Sequence, residues 1–170
     1  MKAKVSRATA RKRRRKLAEF LEALPAKKFC YQEMVLEAKN GCGTLCCAAG
    51  WMPKVDAVNW QWYQTPSTWY GENLTLPRLR KRPRADLLLA LAAYFGLDKS
   101  TAQIVFYRVG LLISDDAYIG HSDSTVSAYH VAAALRYLLT HDEFPRGAVL
   151  PLMPRGRRAV SRWVRMHCGR

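Results

Sequence analysis

A mostly α-helical fold is predicted for this chain: a compact multi-helix domain with one irregular aromatic segment and basic arms at both ends. Its 170 residues, 49% of them hydrophobic, suffice for one domain that buries about two-thirds of its unfolded surface. Several stretches repeat apolar residues at the helical period, and glycine or proline separates them. The predicted divisions are a basic arm (1–16), a helical domain (17–144), and a Pro/Gly linker with a basic terminal helix (145–170).

The first predicted helix begins near Arg11 and ends before Pro25. Its apolar residues follow the i, i+3, i+4, i+7 pattern and are Leu17, Phe20, Leu21 and Leu24. Residues 1–10 show little periodicity and are predicted to be a mobile arm. Because the macrodipole disfavours cations near a helix N-terminus, the basic run before Leu17 is not expected to stabilise this helix. We expect it to be either disordered or held by an anion.

The next stretch is less regular. Residues 29–40 are typical of a short helix, and Thr44 suits the N-cap of another helix built from small residues. Residues 54–77 combine many aromatic side chains with two prolines and a glycine. Short extended pieces and an irregular aromatic loop both fit this segment.

Four helices are predicted in the second half of the chain. Residues 86–95 form an apolar helix closed by Gly96, and Asp98 or Ser100 caps the helix that follows. A turn-rich segment leads to a helix over residues 125–141. The terminal helix spans residues 157–167 and places Val160, Trp163 and Val164 on one face.

The positive charge is concentrated in three blocks that contain no acidic residue. The chain has 28 Lys and Arg against 13 Asp and Glu, a net charge of +15. Twenty of these cations lie in residues 1–16, 78–84 and 155–170, and the remainder of the chain, with eight cations, has a net charge of −5. A localised basic surface is typical of a protein that binds a polyanion. The predicted nucleic-acid-binding residues are Arg11, Lys12, Arg13, Arg14, Arg15, Lys16, Arg78, Arg80, Lys81, Arg82, Arg84, Arg157, Arg158, Arg162 and Arg165.

Nucleic acid is therefore the predicted partner, bound mainly through phosphates. Arginine outnumbers lysine in each block, which favours bidentate phosphate contacts and stacking. An acidic protein partner and a solvated tail without a partner are the alternatives. No apolar run approaches the roughly 20 residues of a membrane helix. Glu19 and Glu22 are atypical of a secretory signal, so a cytoplasmic protein without a membrane partner is predicted.

The aromatic residues that precede the second basic block have two interpretations. Exposed aromatic rings beside cations stack the bases of single-stranded nucleic acid. The same rings also serve as core between helices, and this is the favoured interpretation. The residues concerned are Trp60, Trp62, Tyr63, Trp69 and Tyr70.

The five cysteines allow three interpretations. Cys42, Cys46 and Cys47 could bind zinc together with Cys30, His121 or His130, but no second ligand pair fixes such a site. A thiol at a helix N-terminus with a histidine base would make a nucleophile. Small buried thiols on a closely packed helix are favoured over both. The odd number and close spacing of the cysteines indicate a reducing compartment.

The turn-rich segment contains carboxylates that offer a weaker metal hypothesis. Asp115, Asp116 and Asp123 with His121 match no metal-binding spacing, and a turn followed by an N-cap explains them. His130, in an Ala- and Leu-rich helix, is predicted to be a semi-buried histidine whose hydrogen bonds are satisfied. No catalytic residue, metal ligand or cofactor is predicted.

One motif resembles a known group of proteins. The sequence Cys42-Gly43-Thr44-x-x-Cys47-x-x-Gly50-Trp51 is similar to the Cys-Gly-Thr-x-x-Cys-x-Ala-Gly-Trp/His pattern of small, uncharacterised proteins of phages and bacterial mobile elements. The resemblance extends loosely over residues 29–141 and leaves both basic ends outside it. It implies a phage or mobile-element context and no particular chemistry.

The function predicted from these observations is non-catalytic nucleic-acid binding by arginine-rich arms, in a phage or mobile-element protein. A host-takeover or anti-defence protein that binds a host protein machine is the alternative. A cysteine- or metal-dependent enzyme is the third hypothesis.

Overall fold

The structure, a computed structural model, describes residues 5–29, 36–37, 44–45, 47–66, 73–81, 86–107, 126–144, 153–154 and 156–168. The helices are α1 (Arg7–Ala23), a 3₁₀ turn (Ala26–Lys28), α2 (Met52–Val55), α3 (Leu87–Phe95), α4 (Lys99–Tyr107), α5 (Ala128–His141) and α6 (Arg157–His167). The strands are β1 (Leu36–Glu37), β2 (Thr44–Leu45), β3 (Trp60–Pro66) and β4 (Asn73–Leu79). The predicted mostly helical class is confirmed.

Helices α1 and α5 pack along each other and form the centre of the fold. Their facing residues are fully or almost fully buried, among them Leu17, Leu21, Leu135 and Leu138. The start of α1 lies beside the end of α5, because Arg7 pairs with Asp142. The two helices are therefore antiparallel, an arrangement that sets the positive end of one macrodipole beside the negative end of the other.

Helix α1 begins earlier than the sequence pattern predicts. It starts at Arg7 instead of near Arg11, because the Ser6 side chain accepts a hydrogen bond from the Thr9 N–H at 3.2 Å and caps the helix. The predicted mobile arm over residues 1–10 is thus wrong for residues 7–10. The helix also continues without a break through residue 16, where the predicted basic arm ends.

The aromatic segment contains a β-hairpin, so the short extended pieces that also fit residues 54–77 are found at residues 60–66 and 73–79 in place of an irregular loop. Strands β3 and β4 are antiparallel, and Trp60 pairs with Leu79 while Pro66 pairs with Asn73. Trp60 is fully buried and its ring meets Tyr94 of α3 edge-on at 5.4 Å. The hairpin forms because aromatic residues fit a pleated surface, one side of which packs on the core.

The region around the Cys-Gly-Thr motif also differs from the prediction. Leu36 pairs with Leu45 and Glu37 with Thr44, so both pairs belong to a short antiparallel ladder instead of two helices. The helix predicted over residues 29–40 is wrong at residues 36–37, and Thr44 is not an N-cap. Cross-strand pairing supplies the backbone hydrogen bonds that a helix would have supplied.

The end of α3 and the start of α4 confirm the predicted caps Gly96 and Asp98, and Asp86 is an N-cap that was not predicted. Asp86 accepts a hydrogen bond from the Leu89 N–H, and Asp98 accepts one from the Thr101 N–H at 2.9 Å. Gly96 ends α3 in the left-handed conformation with φ of 63°. An added Cβ at Gly96 would lie 2.8 Å from the Cβ of Ala10, so a glycine here lets the end of α3 approach α1 closely.

The His130 side chain takes part in the N-terminal cap of α5. Its Nδ1 accepts the Ser127 N–H at 3.1 Å, so Nε2 carries the proton and donates it to the Pro154 carbonyl at 3.3 Å. The residue is completely buried, and this burial lowers its pKa to about 4, although the Pro154 contact opposes the shift. The prediction that its hydrogen bonds are satisfied is confirmed, but the residue is completely buried instead of semi-buried.

The stability of the protein should fall as His130 is forced to ionise. Its pKa is near 6.5 in the unfolded chain and about 4 in the fold, so the unfolded state gains a proton first as the pH decreases. The stabilisation is complete above pH 6.5, declines between pH 6.5 and 4, and amounts to about 3 kcal/mol. Urea unfolding across this range measures it. His130→Gln keeps an acceptor for the Ser127 N–H without titrating, so its profile should be flatter. Parallel profiles for the two proteins would contradict this account.

Helix α6 has the predicted bounds and packs on α5. Val160 and Trp163 are buried, and the Trp163 ring lies 6.1 Å from that of Tyr137. None of the described helices is long and apolar enough to span a membrane.

Candidate nucleic-acid interface

Two arginines of the first basic block donate hydrogen bonds to the main chain of α5. Arg11 donates a hydrogen bond to the Leu139 carbonyl and Arg14 donates one to the Leu138 carbonyl, both in the last turn of α5. These carbonyls have no partner within their own helix. The arginines therefore cap α5 and place positive charge at the negative end of its macrodipole. Arg11 and Arg14 are therefore held by the negative end of the α5 macrodipole and not by a bound anion.

Arg14 is the most deeply placed of these cations. Its side chain is 3% exposed, and a terminal nitrogen lies 3.6 Å from an Asp142 oxygen. Burial lowers its pKa, while the Asp142 carboxylate acts in the opposite direction. A buried guanidinium that donates to the fold is not available for phosphate, which contradicts the prediction of Arg14 as a phosphate ligand.

Asp142→Asn should lower the free energy of unfolding by about 1–2 kcal/mol. Separating a buried ion pair costs about 3–5 kcal/mol, and the 41% exposure of the Asp142 side chain reduces this through solvent screening. Asparagine tolerates the positive φ at this position, so the substitution isolates the charge. Arg7→Gln, which removes an exposed partner of the same carboxylate, should cost less than about 0.5 kcal/mol. Urea unfolding measures both, and equal losses would refute the role of Arg14.

Arg13 belongs to a second internal network. Its guanidinium lies 4.1 Å over the ring of Tyr94 and donates to the Tyr94 carbonyl at 2.8 Å. The Tyr94 hydroxyl donates to Asp56, and burial together with this carboxylate raises the tyrosine pKa. Burial opposes ionisation of Asp56, but hydrogen bonds from Tyr94 and Asn59 outweigh it and lower the pKa of the carboxyl. Arg13 therefore connects α1 to α3 and is not free for a ligand.

Three cations of the first block face solvent and make no hydrogen bond or ion pair within the described part of the chain. They are Lys12, Arg15 and Lys16. Lys16 lies near enough to Asp56 to stabilise its negative charge. This smaller set is what the first block offers to a polyanion.

The second block begins on the hairpin. The Arg78 guanidinium lies 4.3 Å over the ring of Tyr63, and Arg80 donates to the Ala57 carbonyl at 3.3 Å. Lys81 is exposed. Arg82 and Arg84 lie outside the described residues.

The third block presents a row of cations on α6, which we call the arginine row: Arg158, Arg162 and Arg165. Their i, i+4, i+7 spacing puts them on one side of the helix, and all three are exposed. No described carboxylate pairs with any of them. Arg157, which directly precedes Arg158, instead donates a hydrogen bond to the Glu22 carbonyl at 3.1 Å. The row is the largest set of uncommitted arginines that the structure describes.

The motif residues from Cys47 onward belong to the core. Cys47, Gly50 and Trp51 are buried, and the Trp51 ring lies 5.6 Å from that of Phe20. Thr44 lies in β2. Cys42 and Gly43 are outside the described residues. Residues 48–51 thus form a packed turn that leads into α2.

No cluster of metal ligands is found within the described residues, and both cysteines described there, Cys47 and Cys168, are buried. No group of three potential ligands comes together there. Burial raises the pKa of Cys168 to about 11, which disfavours its thiolate. The other residues of the zinc and carboxylate hypotheses lie outside the description, namely Cys30, Cys42, Cys46, Asp115, Asp116, His121 and Asp123.

The sequence did not distinguish arginines that stabilise the fold from arginines that are free to bind a ligand. Arg14 continues the helical series Ala10, Arg14, Leu17, Leu21, so its position in the apolar stripe was the available signal for burial. No comparable signal predicts that Arg14 pairs with Asp142 at the end of α5, because the two residues are 128 positions apart in the sequence. Comparison of the chain with protein-family models, curated proteins and solved structures gives no match.

Proposed function

We propose that this protein binds nucleic acid through phosphate contacts, with the arginine row of α6 as its principal contact and without catalysis. The observation that carries the proposal is the placement of three exposed arginines, none paired with a described carboxylate, on one side of a packed helix. Val160 and Trp163 anchor the opposite side in the core, so the cations form a fixed array instead of a loose tail. A fixed array loses less conformational entropy when it binds.

The dimensions of the row suit a polyanion. At 1.5 Å per residue, the Cα atoms of Arg158 and Arg165 are about 10 Å apart along the helix axis. One DNA strand has a phosphate about every 3.4 Å along the duplex axis, so the row spans about three phosphates. Guanidinium groups bind phosphate oxygens in bidentate geometry. Contacts of this kind carry no sequence information, which suits binding to many sequences.

The resemblance of residues 42–51 to phage and mobile-element proteins supports a role in packing, protecting or regulating viral or mobile DNA or RNA. The arginine row lies outside the region of resemblance. The body and the row would then have separate tasks, the body as a scaffold and the row as the source of affinity.

Fluorescence anisotropy with labelled duplex DNA and duplex RNA, measured over a series of KCl concentrations, tests the proposal. We expect binding at low salt that weakens steeply as salt rises, because counterions released by phosphate contacts drive it. Absence of binding to either duplex at low salt would overturn the proposal. Co-purification with one acidic host protein would then favour the host-takeover hypothesis.

A further inference from the structure

We propose that the outer face of the β3–β4 hairpin binds single-stranded nucleic acid by stacking a base on Tyr63. This face is distinct from the arginine row and contains Gln61, Tyr63 and Arg78, with Arg80 just beyond the end of β4. The inference rests on the proposed function, since both require a nucleic acid ligand, and it names a class of substrate that the arginine row alone does not select.

The register of the hairpin defines the face. Gln61 is opposite Arg78 and Tyr63 is opposite Leu76, so Tyr63 and Arg78 are diagonal neighbours on one side of the sheet. The opposite side contains Trp60 and Pro77, which are buried in the core. The Tyr63 side of the sheet is therefore turned away from the core.

Tyr63 is both exposed and paired with a cation. It keeps 43% of its surface exposed although the Arg78 guanidinium lies 4.3 Å over its ring. A guanidinium and an aromatic ring stacked in this way make a planar, positively charged platform that a third planar group extends. A nucleobase has the required flat surface, and in a single strand that surface is accessible, whereas in a duplex it is covered by its neighbours.

Cations continue along the chain from this platform. Arg80 is two residues beyond Arg78, directly after the end of β4, and its N–H donates to the Asn59 carbonyl at 2.8 Å. Its guanidinium uses Nε for the Ala57 carbonyl, which leaves its two terminal nitrogens for other partners. Lys81 follows and is exposed. A strand with one base on Tyr63 would thus have its phosphates beside Arg80 and Lys81.

The described carboxylate in the turn before β3 does not counteract this charge. Asp56, in the turn before β3, accepts hydrogen bonds from the Tyr94 hydroxyl and from Asn59 Nδ2 at 2.8 Å. It points into the α1–α3 network and is partly covered. The combination of an exposed ring, stacked guanidinium and adjacent cations favours a polyanionic ligand with flat groups over a protein segment.

The test compares an oligothymidylate of about 20 nucleotides with a duplex of similar length. Tyr63→Leu should weaken oligothymidylate binding by about 5- to 150-fold, the effect of losing one stacked base, and should leave duplex affinity within twofold. Tyr63→Phe keeps the ring and should bind like the unmodified protein. Ultraviolet crosslinking of the unmodified protein to oligothymidylate should label the peptide that contains Tyr63, which tests the inference without a variant.

The outcomes separate this inference from the proposed function. If Tyr63→Leu binds oligothymidylate as tightly as the unmodified protein, or crosslinks lie elsewhere, the stacking site is refuted while duplex binding still supports the arginine row. If neither nucleic acid binds the unmodified protein, both proposals are refuted.

Discussion

Replacing Gly96 by alanine should lower the free energy of unfolding by about 2–5 kcal/mol. Gly96 has φ of 63°, where a Cβ costs about 1–2 kcal/mol of backbone strain. The new Cβ would also lie 2.8 Å from the Ala10 Cβ and 3.0 Å from Val5 Cγ1. Ala10 is buried on α1 and cannot rotate away, so α1 would have to shift, at a further cost of about 1–3 kcal/mol.

Gly156→Ala is the matched control for this substitution. A Cβ at Gly156 meets nothing within 4 Å, and its φ of −92° is open to any residue. Its effect should stay within about 1 kcal/mol, because the weaker N-cap is offset by reduced freedom of the unfolded chain. Urea unfolding followed by circular dichroism measures both variants. Similar losses at the two glycines would show that the contact between α1 and the end of α3 is not tight.

The second large effect concerns affinity. Substituting all three members of the arginine row by glutamine should weaken binding to duplex DNA on the order of 100-fold at about 0.1 M salt, because three phosphate contacts are lost. The same variant should change the free energy of unfolding by less than about 0.5 kcal/mol, since these side chains are exposed and have no described partner. Anisotropy and urea unfolding on the same preparations measure the two quantities.

A charge-matched variant distinguishes the contribution of the arginine row to affinity from that of the overall charge. This variant combines Lys27→Gln, Lys28→Gln and Lys99→Gln. It also removes three positive charges, but from the 3₁₀ turn and α4 instead of from α6. If affinity depends on the arginine row, this variant should lose less than about 5-fold, through long-range attraction alone. Equal losses in the two variants would mean that net charge, and not the row on α6, determines binding.

The second half of the fold was predictable because local signals suffice there. Asp86, Asp98 and Gly96 mark helix ends through their own side chain or backbone freedom, and α6 has a clear apolar stripe. The hairpin was not assigned because its aromatic residues suit both a half-buried strand and a loop packed on the core. Only the cross-strand register, a contact between distant residues, decides between them.

The sequence predicted which residues of the candidate site carry positive charge, but not which of them are free to contact a ligand. The sequence located the cations, but Arg11 and Arg14 cap a helix about 124–128 residues away, and no local pattern encodes that contact. Lys12, Arg15 and Lys16 alternate with them on α1 and remain exposed. In one basic run, the helical period thus separates cations that stabilise the fold from cations that are available to a ligand.

The salt dependence of duplex binding tests the central claim most directly. The slope of log K against log salt concentration should be less steep in the triple arginine-row variant than in the unmodified protein by about 2.7, the value for three phosphate contacts. The charge-matched lysine variant should keep the slope of the unmodified protein. An unchanged slope in the arginine-row variant would contradict the account, because it would mean that Arg158, Arg162 and Arg165 do not contact phosphates.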